Sequence, residues 1–147
     1  MALDYYLIIQ NHNNEIEPRQ VIESLTSTFS LQQNPLSDFR IAHGITVNVF
    51  KEDDEDDESY FGNSYPDVCV SFRLDKFEHY ETGMNTMLKI VIWLMANFNV
   101  DMILFFNEQK IFQRMASQLS INNDSEFWQS SEFYFPNQSS QLARMTK

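Results

Sequence analysis

The side chains that could do chemistry here are few: one cysteine, Cys69, and three histidines, His12, His43 and His79. A thiolate needs a base or an electropositive setting to act as a nucleophile, and His43 or His79 could serve Cys69 in that role. Nothing in their spacing selects such a pair, and a cysteine on a strand reads first as an ordinary, partly buried side chain. The same four residues could in principle ligate zinc, but they lack the paired close spacings of structural zinc sites. His12 and His43 read as turn residues, and His79 as a first-turn helix residue. There is no G-x-S-x-G elbow, Walker A loop, dinucleotide fingerprint or H-E-x-x-H motif. Three glycines in all make a phosphate-cradling loop hard to build. The chain therefore reads as a non-enzyme with no catalytic residue, no cofactor and no metal.

The other chemically distinct stretch is KEDDEDDESYFG, Lys51 to Gly62. It holds seven consecutive acids: Glu52, Asp53, Asp54, Glu55, Asp56, Asp57 and Glu58. Hard cations take several carboxylate oxygens, but an EF-hand needs Gly at position six and Glu at twelve. Counted from Asp53, those positions are Glu58 and Ser64, so the pattern fails. Two readings are left. Blocks of like charge are usually solvated. Alternatively, the run steers a basic partner, with Tyr60 and Phe61 supplying buried anchors beside it.

Composition narrows the partner class. Net charge is −11, of which the run supplies −7, leaving −11 + 7 = −4 for the rest. Phosphate backbones and anionic lipid surfaces repel such a chain, so direct nucleic-acid and membrane binding are disfavoured. A basic protein is the natural complement. A single cysteine permits no internal disulfide and suits a reducing compartment. MALDYYLIIQNHNN lacks the basic region of a signal peptide, and MLKIVIWLMANF, Met87 to Phe98, is too short to span a bilayer. The expected location is the cytoplasm.

The elements that must position these residues follow from periodicity. Leu3 to Gln10 reads as a first strand. Pro18 suits a first helical turn, and Val21, Ile22, Leu25 and Phe29 define one apolar helix face. Phe39 to His43 and Ile45 to Phe50 read as short strands hinged at His43-Gly44. In the second of these, and again in DVCVSFRL, alternation marks half-buried strands: Val68, Val70, Phe72 and Leu74 share one face, and Cys69, Ser71 and Arg73 the other. The acidic run thus joins two strands as an exposed hairpin loop. A helix is expected near Asp75 to Phe98, with Asp75 and Glu78 as a capping box and Met84, Met87, Leu88, Val91, Met95 and Phe98 facing the core. MILFF and KIFQRMA read as paired strands, and Ser117 to Ile121 as a further one.

The expected fold is α+β: a mostly antiparallel sheet of five to seven strands carrying two main helices, in the order β-α-β-β-β-α-β-β. Residues 1–136 form a single domain in this reading, with Phe127 and Trp128 packed on its body. Residues 137–147 form a polar, loose tail.

Several stretches resemble a known family. The opening MALDYYL, the passage VSFRLDKFEHYETGMNTML (Val70 to Leu88), Asp101 with LFFNE (Leu104 to Glu108), Leu119 to Asn122 and Phe127-Trp128 together resemble small bacterial immunity proteins of the swarming-inhibition-toxin (Sit-type) group. The acidic run and the polar tail depart from that pattern. The resemblance implies a cytoplasmic protein that binds and neutralises a cognate toxin. The alternative is a small acidic adaptor or regulatory module, for which a homodimer is compatible.

Overall fold

The computed structural model describes residues 2–11, 13–33, 37–52, 61 and 66–121. His12, the acids Asp53 to Glu58, Tyr60, Phe127, Trp128 and the expected tail 137–147 lie outside the described residues.

The element order is β1 (Ala2–Ile9), α1 (Pro18–Phe29), β2 (Gln32–Gln33), β3 (Arg40–Ala42), β4 (Ile45–Lys51), β5 (Val68–Asp75), α2 (Tyr80–Asn97), β6 (Met102–Phe106), β7 (Gln109–Met115) and β8 (Gln118–Ile121). The strands form one sheet in the order β2-β3-β4-β5-β1-β6-β7-β8, and every pairing is antiparallel. The α+β class, the two helices and the order of elements are as the periodicity predicts. The strand count is eight rather than five to seven. Among the described elements the unforeseen strand is β2, the exposed pair Gln32 and Gln33, held by backbone pairing to Ile41 and Arg40. Two polar residues leave no alternation to read.

One face of the sheet carries the core. Leu3, Tyr5, Leu7 and Ile9 of β1 point into it, with Ile45, Val47 and Val49 of β4 and Val68, Val70, Phe72 and Leu74 of β5. Helix α1 contributes Val21, Ile22 and Leu25. Helix α2 contributes Met84, Met87, Leu88, Ile90, Val91, Leu94 and Met95. Both helices therefore lie on this side. Phe29 and Trp93 meet edge to face between them, ring centroids 6.4 Å apart, a preferred aromatic geometry. A bulge between Leu104 and Phe105 shifts the β6–β7 register, so that Ile111 and Phe112, consecutive in sequence, are both buried in the core.

The start of α2 corrects the sequence reading. Asp75 does not cap this helix. It ends β5, and its Oδ1 accepts the Phe77 backbone N–H at 2.9 Å. Asp side chains readily bond the backbone two residues on, and that local turn displaces the capping box. The helix begins at Tyr80, with His79 as its N-cap and no side-chain capping bond.

Candidate partner-binding surface

The acidic run connects β4 to β5, which pair with each other up to Lys51 opposite Val68. Its base is firmly built. The Glu52 backbone N–H donates to the Asp67 carbonyl at 2.8 Å, extending the hairpin by one rung. Lys51 Nζ donates to Asn14 Oδ1 at 3.1 Å and lies 3.8 Å from Glu17 Oε1. Asn14 is itself held in a tight loop with φ of 54°. The fully buried Asn11 organises that loop by accepting the Ile16 N–H at 3.0 Å and donating to the Ile16 carbonyl at 3.4 Å. The β1–α1 loop thus clamps the residue immediately before the acids.

Of the nine residues expected to meet a partner, Glu52 and Phe61 are described. Both are half-buried. Asp53, Asp54, Glu55, Asp56, Asp57, Glu58 and Tyr60 lie outside the described residues. Glu52 sits beside the thiol of Cys69. Burial, reinforced by that carboxylate, pushes the Cys69 thiol far above its ordinary pKa, which makes it a poor nucleophile. Asp67, at the other side of the hairpin base, is buried.

The groups weighed for catalysis do not converge. His43 and His79 do approach each other, ring centroids 5.4 Å apart, where the β3–β4 turn meets the start of α2. That junction adjoins Asp75, whose N–H donates to the Gly44 carbonyl at 2.9 Å. Cys69 lies six residues back along β5, about 20 Å away at the rise of an extended strand. Among the described residues, no group of three His, Cys, Asp or Glu side chains is placed to hold a metal ion, and no helix is long and apolar enough to cross a membrane.

The face of the sheet turned away from the helices is the second notable surface. Register aligns Phe50, Cys69, Ile8 and Ile103 in one row across β4, β5, β1 and β6. The next row holds Asn48, Ser71, Tyr6 and Phe105, and the one beyond it Thr46, Arg73 and Asp4. Arg73 and Asp4 form a cross-strand ion pair, Nε to Oδ1 3.0 Å. Tyr6 and Phe50 are 40% and 37% exposed. At the far end, an open groove of about 550 Å³ is lined by Ile41, Ala42, Gly44, Thr46, Arg73 and Asp75, among others.

Sequence alternation correctly divides β5 between the two faces, but it does not reveal that Ile8, Cys69 and Ile103 are buried on the second one. The signal for this was the apolar character of LII and MILFF on both faces, which strands half-exposed to water do not have.

No curated protein and no solved structure matches the chain. A family model, described as SitI3-like, matches residues 3–132. That match takes in β1, the β5–α2 passage and LFFNE, the same stretches that resemble the Sit-type group, and it covers most of the 147 residues. The chain belongs to the SitI3-like family of Sit-type immunity proteins.

Proposed function

We propose that this chain is a non-enzymatic immunity protein that binds and occludes a cognate bacterial toxin, with the acidic hairpin as its electrostatic contact. Glu52 to Glu58 engage basic residues around the toxin's active site, and Tyr60 and Phe61 anchor beside them. If the toxin is a nuclease, the run imitates the charge of its phosphate substrate. The observation that carries this reading is the clamped base of the hairpin. Both ends of the segment that carries the charge run are fixed, at Glu52 and Asp67, and a fixed attachment suits steering. Family membership supplies the toxin as partner class; the basic surface on it and the cytoplasmic setting belong to this proposal.

Replacing all seven acids by Ser and Asn tests it. Association with the toxin should slow by about tenfold or more at low salt and lose most of its salt dependence. Unchanged association, salt response and protection would sink the charge-based mechanism while leaving the immunity role standing.

A further inference from the structure

The chain has three histidines, and the fold brings two of them together. His43 lies in the turn between β3 and β4, and His79 is the N-cap of α2. Sequence spacing argues against zinc because no two ligand residues stand close along the chain. The fold supplies the closeness that the spacing lacks. The two ring centroids are 5.4 Å apart, and both residues are exposed. An exposed pair adds little to the core, and water and ions reach it freely.

The separation has a chemical meaning. A zinc–imidazole bond of about 2.0–2.1 Å puts each ring centre about 3 Å from the ion, and a tetrahedral angle then sets the two centres about 5 Å apart. The observed 5.4 Å matches that distance. The backbones that carry the rings are fixed against each other. A Cβ on Gly44, next to His43, would collide with the His79 carbonyl oxygen. The Gly44 carbonyl accepts the Asp75 N–H at 2.9 Å, and the His79 carbonyl accepts the Gly83 N–H at 2.8 Å. A pair held in this way loses little freedom on binding an ion. The positive end of α2 opposes a cation here. Glu81 in the first turn, Glu78 next to His79 in sequence and the net charge of −11 act the other way.

We propose that His43 and His79 together bind one divalent transition-metal ion of the zinc class, through one nitrogen of each ring, with water in the remaining positions. Among the described residues no group of three His, Cys, Asp or Glu side chains is placed to hold a metal, so the site has two protein ligands and is open to solvent. Imidazole suits zinc, copper and nickel, whereas calcium and magnesium want oxygen ligands. The bound ion staples the β3–β4 turn to the start of α2. This inference is independent of the acidic hairpin's role.

Zinc chloride titrated into the full chain at neutral pH tests it. One equivalent should bind, and the imidazole NMR signals of two of the three histidines should shift together, a readout that needs no variant. His43→Asn and His79→Asn, both at exposed positions, should each weaken binding by about tenfold or more, as loss of even a partner behind a ligand does. The midpoint of thermal unfolding should rise with zinc concentration in the parent, because an ion that binds only the folded chain stabilises it. It should stay fixed in either variant. Absence of saturable binding would overturn the proposal. So would binding that survives both substitutions, or that is lost in His12→Asn or in the variant lacking the seven acids, since the ion would then lie elsewhere. Half an equivalent per chain with a doubled mass would place the ion between two copies and would likewise overturn it.

Discussion

Arg114 ties β7 to the end of α2. Its guanidinium donates to the carbonyls of Met95 at 2.8 Å, of Val100 at 2.9 and 3.1 Å, and of Phe98. Those carbonyls belong to the end of α2 and the turn after it, where helical oxygens have no intrahelical partner and the dipole is negative. Partial burial lowers the pKa of Arg114, yet an arginine stays charged at any ordinary pH. Arg114→Met keeps the stem and removes the fork. It should cost about 2–3 kcal/mol, since bonds from a charged donor are the strong ones and their loss leaves partly buried acceptors without that donor. Urea unfolding measures this, and an unshifted midpoint would show that water replaces the guanidinium. None of this was legible in KIFQRMA, which reads only as a strand. The partners of Arg114 are 14 to 19 residues upstream, and no local pattern encodes a contact of that span. The Asp4–Arg73 pair was nearer to legible, because an arginine on the polar face of an alternating strand must find an acid across the ladder.

At the scale of elements, the joint between the β3–β4 hairpin and α2 rests on two glycines. Gly44 adopts φ of 78°, and a Cβ there would sit 2.1 Å from the His79 carbonyl oxygen. A Cβ on Gly83 would sit 2.2 Å from the Gly44 carbonyl oxygen. That oxygen also accepts the Asp75 N–H, so it is fixed from two sides. Read as sequence, Gly83 is a weak point in a helix, about 1 kcal/mol worse than Ala. In the fold it is what allows the hairpin tip to lie directly on the first turns of α2. The two effects oppose each other in Gly83→Ala. Propensity favours Ala by about 1 kcal/mol, whereas forcing apart tightly packed backbone costs about 1–3 kcal/mol. The substitution should therefore lower the midpoint of thermal unfolding; a raised midpoint would mean that the joint yields freely. The core stripe of α2 was readable because it is periodic. The helix start was not, because Asp75 satisfies a local turn instead of the helix.

For the whole molecule, the alternation of β4 and β5 and the apolar β1 and β6 were enough to fix class and element order, but not the place of β1 at the centre of the sheet between β5 and β6. Pairing between strands so far apart in sequence depends on which edges remain unpaired, and composition does not record that. Charge was fully legible, and it leads to a test that needs no partner. The seven consecutive acids lie in the chain between Lys51 and Asp67, whose strands the fold holds together, whereas in the unfolded chain the two ends are free to separate. Folding should therefore carry an electrostatic cost from the run. The variant with Ser and Asn in place of Glu52 to Glu58 should be more stable than the parent by about 1 kcal/mol at low salt. Screening shortens the reach of charge to about 3 Å at 1 M salt, so the difference should vanish there. Urea unfolding of both proteins at low and high salt measures it. A difference that persists at high salt would point to backbone propensity rather than charge, and equal stability throughout would mean that the acids spread far enough apart to be silent. A gain in stability together with slower toxin association would show one set of residues costing the fold and serving the contact, the balance expected of a surface kept for binding.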